Sequence, residues 1–228
     1  MTNISETVKD QYRERVVRNL EYYNELLLAI HNKRTEASLQ TMLAEQFSLT
    51  FAILWETFLN DLIIAYVEMS PDKFVQDLQR RINQSISDKY GLESARNTTT
   101  SLPSNLSKSR VVSLIDPKGW NITINSSSDL SSMANRYLSA SHAKRFSLDA
   151  ADSELIDFIF PLRNYLAHRS QKSKDMLVEY QSRLNEAINA PLAGNLRIVG
   201  VYLKQEFQPG ETRTMFLAQR SIQIASNL

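Results

Sequence analysis

The sequence contains three histidines, His31, His142 and His168. Histidine changes its charge near neutral pH, so each of them could move a proton in a reaction. Only His168 stands among other polar groups at regular spacing, in the segment 161–169, PLRNYLAHR. Because a helix turns by roughly 100° per residue, it would place Asn164 and His168 on one face and Arg163 one step away. The segment therefore predicts three neighbouring polar groups that could act on one ligand.

These three groups suit the cleavage of a phosphodiester bond in RNA. Arginine can hold a phosphate through two parallel hydrogen bonds and offset the negative charge that grows on phosphorus, which is the role predicted for Arg163. His168 could take the proton of a ribose 2′-hydroxyl or protonate the departing 5′-oxygen, and either role accelerates a reaction by roughly 10²–10⁴-fold. Asn164 could orient the imidazole or donate to the phosphate. Since the 2′-hydroxyl is an internal nucleophile, this chemistry requires no metal and no cofactor.

A purely structural interpretation of the same residues is also available. An arginine and a histidine five residues apart occur by chance in many proteins. In that case Arg163 is a surface arginine and His168 is a histidine at a helix end. The spacing alone favours this second interpretation.

Amphipathic helices must position these groups. Only 5 Gly and 6 Pro interrupt the chain, and apolar residues recur at spacings of three and four, so we predict an all-α fold. The motif helix is expected over about 150–168. Its apolar stripe consists of Leu155, Phe158, Ile159, Leu162 and Leu166. Pro161 lacks a backbone donor and should kink this helix or split it in two, and a polar run at 170–173 ends it.

The other predicted elements surround a second long helix. It spans about 35–69, and its central part, 47–67, is apolar nearly all round, which is typical of a buried core helix. Segment 196–207 could be a strand or the start of a helical tail, and we favour helix because a lone strand would have no partner. The remaining segments are helices at about 5–32, 70–91, 129–139 and 174–189, a mobile surface loop at 93–110, and short apolar pieces at 111–115 and 120–124.

Composition limits the chemistry that is available. No cysteine is present, which excludes thiol nucleophiles, thiolate zinc sites, iron–sulfur clusters and disulfides. Lys and Arg number 26 against 25 Asp and Glu, so the net charge of +1 gives no overall attraction to nucleic acid, and RNA binding has to come from a local patch. Residues 1–10 do not resemble a signal peptide and no apolar run approaches about 20 residues, so a cytoplasmic protein without membrane contact is expected.

The sequence around His168 is more specific than the spacing of Arg163 and His168 alone. An apolar helix, 155–162, leads into Arg163-Asn164 and then Ala167-His168, which resembles the Arg-Asn-x-x-x-His signature of the HEPN superfamily, in particular its RiboL-PSP-like members. That superfamily includes bacterial toxins, abortive-infection proteins and the nuclease domains of RNA-targeting CRISPR effectors. Segment 51–59, FAILWETFL, also resembles its long helix, in which a glutamate followed by an aromatic residue often lies in the apolar run. The resemblance extends over about 43–190 in the order and type of elements.

The resemblance implies a helical bundle of four to five core helices with extra N- and C-terminal helical segments. We expect this domain over 1–190, with a C-terminal extension, 191–228, packed on it. The resemblance also implies a homodimer in which two motifs meet in one composite active site, and RNA cleavage that leaves a 2′,3′-cyclic phosphate. It assigns Arg163 and His168 as the catalytic pair and Asn164 as their polar auxiliary.

Four other residues are candidates for a supporting role. Glu56 lies in an apolar run and could pair with Arg163 or His168 if it is buried, or reach solvent through a gap in the helix face. Arg169 and Lys172 could contact RNA phosphates, or they could be ordinary solvated charges. Trp120 could stack on a base, although a buried aromatic residue is the alternative.

The motif thus predicts a metal-independent endoribonuclease, acting as a toxin or a phage-defence effector and restrained by an antitoxin or another regulatory protein. A different interpretation is a non-catalytic HEPN module that binds nucleotide or RNA or scaffolds a complex. A third is a helical interaction protein without a site, in which replacement of Arg163 or His168 would change stability at most.

Overall fold

Helices account for nearly all regular structure in the computed structural model, which describes residues 3–99, 101, 106–115, 124–188 and 194–228. Within these residues the helices are α1 (Ile4–Ile30), α2 (Glu36–Met69), α3 (Asp72–Tyr90), α4 (Leu92–Arg96), α5 (Lys108–Ile115), α6 (Ser127–Tyr137), α7 (Ala140–Ala143), α8 (Ala150–His168), α9 (Gln171–Ile188), α10 (Val199–Lys204) and α11 (Arg213–Asn227). A turn of 3₁₀-helix covers Lys144–Phe146, and a short antiparallel hairpin pairs β1 (Glu206–Gln208) with β2 (Glu211–Thr212). The predicted all-α class is confirmed.

Helix α2 forms the centre of the core. Its residues from Leu62 to Val67 are buried on every side of the helix, and Trp55 and Leu59 are fully enclosed. Aromatic rings of α1 and α2 pack together, with the ring centroids of Tyr12 and Phe58 4.5 Å apart. The prediction of a buried central helix is therefore confirmed.

By length and composition alone, α2 could also cross a membrane. In the fold, 56% of its most apolar 18-residue stretch is buried inside the protein. The core helix of a globular protein has the same properties.

Helix α8 carries the motif and packs against α2 and α9. The side chain of Asp149 caps its N-terminus and accepts a hydrogen bond from a backbone N–H at 2.8 Å. The helix continues through Pro161, so the predicted split does not occur. All side chains over 155–162 are buried, and this packing outweighs the one backbone hydrogen bond that proline removes. The helix ends at His168, as predicted, because Arg169 adopts a left-handed conformation with φ of 53°.

Within 93–110, the described residues differ from the predicted continuous loop. They include most of α4 and the start of α5; Leu106, and Val111 directly after the stretch, are buried in the core. This burial stabilises helical turns in a stretch whose polar composition concealed them. Trp120, the candidate for base stacking, lies outside the described residues.

Segment 196–207 is helical at α10, as favoured, but it ends in a strand. The strand pairs within its own hairpin, because Pro209-Gly210 makes a tight turn in which Gly210 supplies a φ of 77°. The expectation that a strand here would have no partner is therefore wrong. The Pro-Gly pair is a turn signal from which the hairpin could have been predicted.

Helix α11 closes the core against α1 and α2. Tyr12 on α1 and Ser221 share a buried hydrogen bond of 2.6 Å, and Tyr66 on α2 donates to the carbonyl oxygen of Leu228 at 2.6 Å. Leu217 and Ala218 are buried as well. These contacts attach the C-terminal helix to α2, which is also the helix that supports the motif.

Candidate active site

Helix α8 positions the motif by burying one side of its last two turns. Leu162 and Leu166 are buried, whereas Arg163 and Asn164 are only half-buried at the surface. His168 is the last residue of the helix and is exposed. The three polar groups thus lie within reach of a ligand from solvent, on a helix that the core holds in place.

Two neighbours fix the guanidinium group of Arg163. Its Nη1 donates to the side-chain oxygen of Asn164 at 2.9 Å, and its Nε lies 3.5 Å from Oε2 of Glu56 on α2. The side chains of Arg163 and Glu56 are 34% and 24% exposed, so water is excluded from part of this ion pair. Of the partners considered for Glu56, the structure brings it to Arg163. This contact with Glu56 is an ion pair without a hydrogen bond, because Arg163 Nε has no hydrogen-bond partner among the described residues, and it leaves other N–H groups for a ligand.

Asn164 supports the arginine and not the histidine. Its side-chain oxygen accepts from Arg163, and no hydrogen bond joins it to His168 within the part of the chain that the structure describes. Of the two roles predicted for Asn164, orientation of the imidazole is therefore not seen in the described residues. Its amide N–H groups are available to a ligand.

His168 has no structural partner among the described residues. Its imidazole makes no hydrogen bond or ion pair there, and its side chain is exposed at the end of α8. An imidazole in this setting can exchange protons with solvent and with a bound ligand. Neither ring nitrogen is committed to holding the fold together, so both can take part in proton transfer.

Arg169 is held in a bidentate ion pair directly after the motif. Its Nη1 and Nη2 donate to the two carboxylate oxygens of Glu45 at 3.1 and 2.5 Å, and its guanidinium lies 5.2 Å from the ring centroid of Tyr165. The hydrogen bonds to Glu45 raise the pKa of Arg169. Arg169 therefore has an intramolecular partner, whereas Lys172, the other residue predicted to contact RNA, is exposed and has no ion pair in the described part of the chain.

Glu45 also connects the end of the motif helix to α10. One of its oxygens accepts a hydrogen bond from the backbone N–H of Gly200 at 3.1 Å. A Cβ atom at Gly200 would lie 2.7 Å from the side chain of Glu45 and 2.7 Å from the carbonyl oxygen of Thr41. Only glycine therefore permits α10 to approach α2 closely enough for this bond.

We expect Gly200→Ala to destabilise the protein even though alanine is the better helix former. The added methyl group would overlap the backbone of Thr41, and overpacking of this kind lowers the free energy of unfolding by about 1–3 kcal/mol. Alanine would recover only about 1 kcal/mol through its helix propensity. Thermal and urea unfolding, compared with the wild-type chain, measure the net loss.

A second substitution tests whether contact with Thr41 causes that loss. Thr41→Ser removes the methyl group that would lie 2.7 Å from the new Cβ atom and keeps the hydroxyl that bonds to the carbonyl oxygen of Ala37. In the Gly200→Ala background it should restore part of the stability. Unchanged or increased stability of Gly200→Ala itself would contradict the close approach of the two helices.

Glu45 and Gly200 were not identified from the sequence. Glu45 precedes Glu56 by eleven residues, which is close to three helical turns, so the two acids lie on one face of α2. That spacing was the available signal for a second carboxylate facing α8. Gly200 is a glycine inside an apolar segment, which is a recognised sign of close backbone approach.

The other two histidines lie in structural settings. His31 is exposed between α1 and α2, and its Nδ1 lies 3.2 Å from a carboxylate oxygen of Glu36. His142 packs on the ring of Tyr66, with centroids 4.7 Å apart. Burial, and then the nearby charge of Arg145, lower the pKa of His142. Both histidines contact α2, but neither makes a hydrogen bond or ion pair with Arg163, Glu56 or His168 among the described residues.

Comparison with known proteins identifies no relative. No protein family, no curated protein and no solved structure matches this chain.

Proposed function

We propose that this chain is a metal-independent endoribonuclease of the HEPN type. The observation that carries the proposal is the exposed, uncommitted His168 on the same helix end as Arg163, whose guanidinium is oriented by Asn164 and Glu56. A phosphate bound by the arginine would lie at the same end of α8 as the imidazole, which would accept and donate the protons of the reaction. Structural histidines of the same chain, such as His142, are instead packed against a neighbour.

The proposed reaction is an internal transesterification. The ribose 2′-oxygen forms a bond to phosphorus, and the bond from phosphorus to the 5′-oxygen breaks. One imidazole accepts the 2′-hydroxyl proton, and an imidazolium gives a proton to the departing 5′-oxygen. Arg163 binds the non-bridging oxygens and stabilises the charge that develops on them. The products are a 2′,3′-cyclic phosphate and a 5′-hydroxyl.

A homodimer with a composite active site is part of the proposal. A single His168 would have to act first as base and then as acid, whereas two copies in one cleft can divide these roles. Exposed apolar side chains near the site support such an interface: Ile53, one turn before Glu56, is 46% exposed, and Ile198, two residues before Gly200, is 56% exposed.

The resemblance to HEPN proteins supplies the biological setting that we propose. The chain would act in the cytoplasm as a toxin or phage-defence effector, and an antitoxin or another regulatory protein would restrain it. Its near-neutral net charge of +1 is compatible with a substrate chosen by a local surface and not by general attraction to RNA.

The proposal is tested by incubating the purified chain with mixed cellular RNA in excess EDTA. We expect cleavage products that end in a 2′,3′-cyclic phosphate and begin with a 5′-hydroxyl. A chain carrying both Arg163→Ala and His168→Ala, purified in the same way, controls for contaminating nucleases. Size-exclusion chromatography with light scattering determines the oligomeric state of both proteins.

The outcomes separate the competing interpretations. Cleavage by the wild-type chain alone, with these ends, supports the transesterification. Equal cleavage by both proteins would place the activity elsewhere or in a contaminant. Absence of cleavage across a panel of structured and unstructured RNAs, with RNA binding retained, would favour the non-catalytic HEPN module.

A further inference from the structure

A second group of charged residues lies on α3 and α6, around the carboxylate of Asp77. Arg80 Nη2 lies 2.5 Å from one oxygen of Asp77, and Arg81 Nε and Arg136 Nε lie 2.9 and 3.0 Å from the other. The Asp77 side chain is only 4% exposed, whereas those of Arg80 and Arg136 are 76% and 44% exposed. Three guanidinium groups thus surround one carboxylate, and the group as a whole keeps two positive charges.

The carboxylate of Asp77 positions these arginines and leaves most of their N–H donors for a ligand. Burial acts to raise the pKa of Asp77, but the hydrogen bonds from Arg80 and Arg136 outweigh it, so the pKa is lowered and the group stays ionised. Each guanidinium has five N–H donors; Arg80 and Arg136 each direct one of them at Asp77, whereas Arg81 contributes an ion pair without a hydrogen bond. The guanidinium groups of Arg81 and Arg136 also lie 6.0 and 5.5 Å from the ring of Tyr137, which limits their motion.

A cavity of about 340 Å³ adjoins the cluster. It is lined by Lys73, Gln76, Asp77, Arg80, Asn135 and Arg136. All of these except Asp77 offer hydrogen-bond donors, and the oxygens of Asp77 already accept from arginine. A pocket walled by cations and amides favours an anion, and the guanidinium fork matches the oxygens of a phosphate.

A second groove lies further along α3 and shares no lining residue with the pocket. It has a volume of about 320 Å³ and is lined by Arg81, Ile82, Ser85, Ile86, Lys89 and Tyr90. Tyr90 is 63% exposed, and Lys89 Nζ lies 5.1 Å from the centroid of its ring. Arg81 belongs to both the arginine cluster and this groove, and Tyr90 lies nine residues further, roughly 13 Å along the helix. Proteins that bind single strands combine cationic groups along the nucleic-acid backbone with aromatic side chains on which bases stack, and α3 carries both kinds of group.

We propose that α3 and α6 form a binding surface for single-stranded nucleic acid, in which Arg80 and Arg136 hold a backbone phosphate and Tyr90 stacks on a base. A free nucleotide shares the phosphate chemistry, but it would not use both the pocket and the groove. The choice of RNA over DNA rests on the proposed ribonuclease function. The surface would then supply the local RNA-binding patch that a net charge of +1 demands.

The test measures the binding of a fluorescently labelled single-stranded oligouridylate by anisotropy, in a His168→Ala background so that the strand is not cleaved. Arg80→Gln with Arg136→Gln should weaken binding by about tenfold or more, and should lower the salt dependence, as log Kd against log salt, by about 1.4. Tyr90→Ala should weaken binding roughly tenfold while the salt dependence stays the same. The matched control is Arg13→Gln with Arg96→Gln, which removes two exposed arginines that pair with an acid three residues earlier.

Two further measurements keep the outcome decisive. If Arg80→Gln with Arg136→Gln fails to fold, Arg80→Lys with Arg136→Lys is used instead. The lysines keep two positive charges beside Asp77 but lack the planar guanidinium, so binding should weaken while its salt dependence is retained. Calorimetry with uridine 5′-monophosphate examines the free nucleotide. Equal RNA binding by Arg80→Gln with Arg136→Gln and by its control would overturn the proposal. It would also be overturned if this variant lost binding of uridine 5′-monophosphate but still bound RNA normally. A chain that binds RNA through this surface but cleaves none would contradict the ribonuclease function and leave the surface standing.

Discussion

Replacement of His168 by alanine is expected to reduce RNA cleavage by about 10³-fold or more, because the imidazole serves both proton transfers and each is worth roughly 10²–10⁴-fold. The fold should survive, since the side chain is exposed and makes no hydrogen bond among the described residues. Initial cleavage rates on a labelled RNA, with thermal unfolding of the same protein, measure the two effects separately. A variant with lost activity and an unchanged Tm is the expected result.

His31→Ala is the matched control for that experiment. His31 is also exposed, but it lies between α1 and α2 and pairs with Glu36, so its removal should leave the cleavage rate nearly unchanged. A comparable loss in both variants would point to a general effect on solubility or folding. Full activity of His168→Ala would remove the histidine from the mechanism and leave the helix-end interpretation of its position.

The elements that position the site were predictable because their signals are local. Helix α8 was predicted to end at His168, and the reason is visible within a few residues, where the apolar stripe stops and a polar run begins. The burial of α2 followed equally from a run of apolar residues on all sides. Spacing on one helix also places Arg163, Asn164 and His168 together, which is as far as the sequence specifies the site.

Contacts between distant segments were not predictable in the same way. Glu56 was a candidate partner for the motif, but the sequence could not decide between Arg163, His168 and solvent, because that depends on how α2 is rotated against α8. The pair of Glu45 and Arg169 spans 124 residues of sequence. That Arg169, a predicted RNA contact, has an intramolecular partner can therefore be seen only in the folded structure.

The cluster around Asp77 combines contacts within one helix, which have a local sequence signal, with a contact to a distant segment, which has none. Arg80 and Arg81 follow Asp77 at spacings of three and four, which is the helical spacing of ion pairs and can be recognised in the sequence. Arg136 comes from another helix, 59 residues away, and turns an ordinary helix-surface pair into a cationic pocket. A neutral chain can thus carry a local positive surface that its net charge conceals.

The guanidinium group of Arg163 should matter through its shape as well as its charge. Arg163→Ala is expected to lower the cleavage rate by about 10²–10³-fold, the usual loss when one charge-stabilising group is removed from a transition state. Arg163→Lys keeps the positive charge but offers no planar fork, so it cannot bind Asn164, Glu56 and two phosphate oxygens together. It should recover only a small part of the rate. Single-turnover cleavage with saturating enzyme measures both variants without interference from weakened binding.

Two comparisons decide whether Arg163 acts on the phosphate or on the fold. Arg169→Lys, six residues further, alters an arginine already paired with Glu45, and should lower the Tm with little effect on cleavage. For Arg163→Ala, millimolar guanidinium chloride should restore part of the cleavage rate, because the free cation can occupy the space beside Glu56 and offer the same donors. Rescue that ammonium chloride reproduces equally would show that charge alone suffices. Failure of both salts, with a Tm well below that of the wild-type chain, would make Arg163 a structural residue.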